Sequence, residues 1–233
     1  MLTTVGIVLV GVLLIVVSYR ENQDAAAIGP SLGDHWHSYL GVNICGTWQP
    51  PVNEFHGRDG TMAQTPAAGI HAHGDFLIHE HPGSSDETGK NADLGLYLEY
   101  AQTELSATAI TLSETWAPGV LKKNGDTCSE GGKPGVLQWK VGRYQEAWPT
   151  KARAGNPADY HLENGDIIAI YFLPKGEALE EPPGSQAALS NISDLGDRSQ
   201  LPTTSSTAPT PDTTPASTPS SSSPAGGAST NEP

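Results

Sequence analysis

The sequence predicts an α+β fold: a small mixed sheet with one main helix, preceded by an N-terminal hydrophobic helix and followed by a disordered tail. Three observations predict it. Ile167–Leu173 is a near-continuous apolar run, as expected of a central strand buried on both faces. Ala92–Gln102, with Leu94, Leu96, Tyr97 and Leu98 behind an N-cap at Asn91, reads as a helix. From Pro202 to Pro233 the chain is almost wholly Ser, Thr, Pro, Ala and Gly, a composition that cannot bury a core.

Taken in order, residues 1–20 come first, with an unbroken apolar run from Val5 to Val17. Two readings stay open: a single transmembrane anchor, or an export signal cut near Ala25-Ala26-Ala27. The anchor is favoured because the alanine site lies well beyond the apolar run. Either places the rest of the chain outside the cytoplasm, on the extracytoplasmic side of the cell membrane or secreted. A linker at 21–33 leads to a globular domain at 34–184, and 185–233 is the Ser/Thr/Pro-rich tail. The domain is about the size of a typical single domain and needs no staple to bury a core.

Within 34–184, Asp34–Thr65 reads as a loop punctuated by Trp36, Tyr39, Trp48 and Phe55, with one short strand around Val42–Cys45. His56, beside Gly57–Gly60, reads as a solvated loop residue. Ala107–Leu112 and Val136–Val141 alternate as strands, joined by a hairpin-like connection that holds Asn124-Gly125 and Cys128. Asn164-Gly165 turns the chain into the last strand, with His161 just before it as a structural residue. Cys45 and Cys128 are the two cysteines, and in an oxidising compartment the default is one disulfide between them. The alternative is Cys45 as a metal ligand near His35 and His37.

The formal net charge of −14, from 26 acidic against 12 basic residues, excludes most nucleic-acid roles, since no Lys/Arg cluster can neutralise phosphates. It argues equally against anionic lipid surfaces as a partner of the folded part. It suits cations and solubility.

The chemistry concentrates in Gly69–Pro82, which holds four of the eight histidines as His71/His73 and His79/His81. As one strand it would put His71, His73, Asp75, Leu77, His79 and His81 on a single face, with Glu80 opposite. A turn at Gly74-Asp75 would instead give two short strands with one histidine pair each. Either way the paired imidazoles start about 6–7 Å apart at Cα and can converge on one ion. A third pair, His35/His37, lies upstream in Asp34-His-Trp-His37. Imidazole with carboxylate suits Zn, Cu(II), Ni or Fe. The candidate ligands are His71, His73, His79 and His81, then His35, His37 and Asp75.

The end of the domain, with Leu162, Gly165, Asp166 and Ile168, resembles the Leu-x-x-Gly-Asp-x-Ile pattern of β-grasp (ubiquitin-like) proteins, over roughly residues 69–174. That resemblance implies a fold and carries no activity. The set Asp34-His-Trp-His37, Asn43-Ile-Cys-Gly46, Gly69-Ile-His-Ala-His-Gly-Asp75 and Ile78-His-Glu-His-Pro82 resembles a group of bacterial membrane-anchored extracytoplasmic proteins without an assigned chemistry. It implies location. The residues themselves point to an exported, membrane-tethered domain that binds a divalent transition metal, Cu or Zn, for capture, sensing or delivery. The alternatives are a metal-dependent hydrolase or oxidoreductase with Glu80 or Asp75 as base, and an envelope interaction module whose histidines satisfy one another.

Overall fold

The fold is built outward from two nine-residue strands that lie parallel at its centre. A computed structural model describes Gly11 and residues 29–192 of the chain. The expected anchor or signal (Gly11 apart) and the tail beyond residue 192 lie outside the described residues. Among the described residues, no helix is long and apolar enough to cross a membrane.

Strand β1 (Trp36–Ile44) pairs in parallel with β10 (Asp166–Pro174), Tyr39 opposite Ile167 and Ile44 opposite Phe172. The apolar run in β10 is buried almost from end to end, as its composition requires. On one side β10 pairs with β9 (Gly135–Arg143), antiparallel. On the other side of β1 follow β5 (Leu77–Glu80), β4 (Ala67–Ala72) and β3 (Phe55–Gly57), all antiparallel to their neighbours. β2 (Thr47–Trp48) folds back on the end of β1, which completes a mixed seven-stranded sheet.

Strand β1 is longer than the four residues its sequence suggests. Its alternation is masked because His37 and Tyr39 occupy one face while Ser38 breaks the apolar pattern on the other. The histidine stretch forms two strands and not one. Gly74 and Phe76 take positive φ of 76° and 68° around Asp75, and the chain turns back so that His71 lies opposite His79.

One face of the sheet buries Leu40, Val42, Ile44, Ile70, Ile78, Ile168, Ile170 and Phe172 with helix α1 (Leu94–Tyr100). Leu94, Tyr97, Leu98 and Tyr100 supply its buried side. Its N-cap is Asp93, not Asn91: the Asp93 carboxylate accepts from the Leu96 N–H at 2.8 Å. Asn91 belongs to a 3₁₀ turn, Gly89–Asn91, so the helix starts later than the sequence suggests. It stops at two turns, where Gln102 takes φ 54° and the Thr103 N–H bonds the Leu98 carbonyl.

A second, three-stranded sheet, β6 (Glu104–Leu105), β7 (Ala109–Thr111) and β8 (Leu121–Lys123), adds Ile110 to the same core. The disulfide Cys45–Cys128 ties the residue after β1 to the loop after β8 and uses both cysteines, so Cys45 is no metal ligand.

On the other face of the main sheet, Tyr39, Leu77 and Ile167 meet helix α2 (Ser185–Ser190) through the fully buried Leu189. The ordered chain therefore runs past the boundary expected at 184. Burying one leucine contributes about 1.5–3 kcal/mol, enough to hold so short a helix in place. The histidines share this face with that apolar cluster.

Candidate metal centre

Side-chain alternation on four adjacent strands assembles the site. His37 on β1, His79 on β5 and His71 on β4 lie in one row, since His37 is in register with His79 and His79 with His71. His56 on β3 extends the row beyond His71, at 5.3 Å between ring centroids. His73 follows β4 at the turn end of the hairpin. His35 and His81 meet at the opposite end, 3.9 Å apart between centroids. Seven of the eight histidines thus form one continuous face, every ring within 6.2 Å of another. His37, His71 and His79 are buried at its centre, while His35 and His73 open to solvent.

Two groups have the geometry to hold an ion. His35, His37 and His81 form one, and His56, His71 and His73 the other, with the candidate nitrogens of each triad within 4.8 Å of one another. Bonds of about 2.0–2.1 Å to a tetrahedral ion place imidazole nitrogens about 3.3 Å apart. His71 Nε2 and His73 Nε2 already lie 3.2 Å apart, so small side-chain rotations bring in the third ring.

Carboxylates support the rings. His79 Nε2 lies 3.1 Å from Asp75 Oδ2, and Glu54 Oε1 lies 3.0 Å from His56 Nε2 and 3.6 Å from His73 Nδ1. Carboxylate–imidazole pairs of this kind fix the tautomer and raise the basicity of the opposite nitrogen. Burial pushes the Asp75 carboxyl up, but the hydrogen bond and positive field of His79 and the Leu77 N–H outweigh it and hold Asp75 below its usual value. Burial first, then the fields of His73, His79, His81 and His56, push His71 down to about 3. It is therefore a neutral imidazole at any physiological pH, and protons compete little for it. Its Nδ1 is buried without a hydrogen-bond partner, an uncompensated group that costs about 1–3 kcal/mol.

Beneath this face, pointing into the core, lies a different chemistry. Glu80 is fully buried and accepts from Ser38 Oγ at 2.6 Å. Burial pushes its carboxyl up to about 8, Ser38 pulls it back, and the nearby Asp166 adds to the rise. Asp166, also fully buried, accepts from the Tyr160 hydroxyl at 2.6 Å and is pushed up to about 7, again chiefly by burial. Glu80 therefore cannot serve as base to an ion on the histidine face.

All seven sequence-predicted ligands, His35, His37, His71, His73, Asp75, His79 and His81, come together. Sequence reasoning missed His56 and Glu54. The reading of His56 as a solvated loop residue is corrected: β3 carries it, half-buried, against His71 and His73. The one signal was Phe55, which plugs the core and turns the next residue onto the opposite face. His161 lies elsewhere, bridged to Asp93. No protein-family model, curated protein or solved structure matches the chain.

Proposed function

We propose that this is a transition-metal-binding domain, exported and tethered to the membrane, that takes up Cu(II) or Zn for capture, sensing or delivery. The observation that carries the reading is the seven-histidine face, with its His71–His73 nitrogens at ligand spacing. Nitrogen donors beside the hard oxygens of Asp75 and Glu54 suit Zn and Cu(II), and the lone thiolate pair is consumed in the disulfide. That disulfide, with the apolar run Val5–Val17, supports the extracytoplasmic location. The parallel β1–β10 pair at the sheet's centre is compatible with β-grasp-like wiring, which carries no activity.

A second reading has one observation in its favour. A three-imidazole set leaves a coordination position for water or substrate, as in catalytic zinc sites, so a hydrolase or oxidoreductase is the alternative. Its base would be Asp75 or Glu54.

The test is elemental analysis of the full-length chain, purified in mild detergent without affinity histidines. Binding predicts stoichiometric Zn or Cu, lost below about pH 5 as imidazoles protonate. Metal-free protein that takes up neither ion on addition refutes the proposal.

A further inference from the structure

We infer that the histidine face holds two ions at once, one on His35, His37 and His81 and one on His56, His71 and His73, with His79 as a donor shared between them. This rests on the metal-binding reading and deepens it.

The two triads have no residue in common. Their buried members, His37 on β1 and His71 on β4, are separated by β5, and two strand spacings amount to about 10 Å. A tetrahedral ion takes four donors, so a single ion cannot use all six imidazoles of the two groups. The sets approach each other at His71 and His81, 5.2 Å between ring centroids, while the backbone fixes where each ring begins.

His79 occupies the ground between. Its ring centroid is 4.8 Å from that of His37 in the first triad and 4.3 Å from that of His73 in the second. Asp75 Oδ2 lies 3.1 Å from Nε2, and an acceptor there favours the tautomer with its lone pair on Nδ1. That nitrogen is left to coordinate, and the ring's position allows it to serve either ion. A shared fourth donor of this kind couples the two ions and gives metal a step between an outer position at His35 and one at His73, both exposed.

The experiment loads the full-length, tag-free chain with Zn(II), removes excess by dialysis and counts zinc per chain. The wild type is expected to hold two. His35→Gln with His81→Gln, and separately His56→Gln with His73→Gln, each should leave one, since these four rings are exposed or half-buried and circular dichroism will show the sheet intact. His79→Gln should weaken both ions about tenfold or more. In the wild type, a second equivalent of Cu(II) should add dipolar broadening to the electron paramagnetic resonance signal of the first, a readout that needs no variant to fold. One zinc per wild-type chain, abolished by either double variant, overturns the two-ion inference and leaves metal binding standing. Two zincs retained in a folded double variant also overturn it, as does an isolated copper signal at two equivalents. Unchanged affinities in His79→Gln overturn the shared role. No zinc at all overturns this inference and the metal-binding reading together.

Discussion

Glu80→Gln should make the protein more alkali-stable. In the folded chain the Glu80 carboxyl is fully buried and pushed up to about 8, against 4.5 in an exposed chain. Between those two values the folded protein keeps a proton that the unfolded chain has lost. Stability therefore falls as pH rises through that window, by about 1.4 kcal/mol per pH unit. The interval sets a ceiling of about 5 kcal/mol on the loss above pH 8. Glutamine keeps the acceptor for Ser38 Oγ and mimics the neutral acid, so the variant has no such loss. Asp166, pushed up to about 7 from 3.8, contributes a loss of the same sign in both chains, and its field on Glu80 makes part of the difference between them. The assay is urea unfolding followed by tryptophan fluorescence, with chelator present to keep the histidine face free of metal. At about pH 5 the two chains should agree within about 1 kcal/mol, and at about pH 9 the variant should be more stable by about 2–5 kcal/mol. Parallel curves across that range would refute a buried, proton-retaining Glu80.

Other outcomes follow from the same structure. His71 is pushed down to about 3, so below 6.5 the unfolded chain takes up a proton that the folded one refuses, and stability drops on acidification. His71→Gln should flatten the acid limb of apo-protein stability by about 2–4 kcal/mol, and an unchanged limb would contradict the burial argument. Replacing Cys45 and Cys128 by alanine opens a loop of 83 residues and should cost about 4–5 kcal/mol in urea unfolding. Gly69→Ala puts a methyl group against the buried Glu87 carboxylate and 2.9 Å from the His81 carbonyl oxygen. It should displace Glu87 from the Gly69 N–H, which it accepts at 2.8 Å, and from Arg58, costing about 2–4 kcal/mol by calorimetry.

What the sequence disclosed is what local pattern encodes. The apolar run of β10, the strands around Ala109–Thr111 and Gly135–Arg143, the Gly74-Asp75 turn alternative and the disulfide are all found. That the six paired histidines share one face was legible because His-x-His spacing in extended chain puts both rings on the same side. What stayed hidden depends on pairing between distant segments. His56 has no histidine two residues away, and only the pairing of β3 with β4 brings it to His71. Glu54 was hidden for the same reason. The sequence understates β1 because its outward face is built of His37 and Tyr39, which look like loop residues until His79 and Leu77 appear opposite them. The helix start is ambiguous in sequence because Asn91 and Asp93 can both cap, and only the fold shows that Asp93 accepts the Leu96 N–H. Helix α2 escaped because six residues, Ser185–Ser190, are helical only while Leu189 is buried beneath Tyr39 and Ile167.

The most direct test of the central claim is the melting temperature of the chelator-stripped, full-length protein with and without added Zn(II) or Cu(II) near neutral pH. An ion bound by the folded histidine face at a hundred times its dissociation constant adds about 2.7 kcal/mol, which for a domain of this size raises the midpoint by about 5–10 °C. The same titration below about pH 5 should produce no rise. A midpoint that ignores both metals at neutral pH would contradict the account, leaving the seven rings as a face that satisfies only itself.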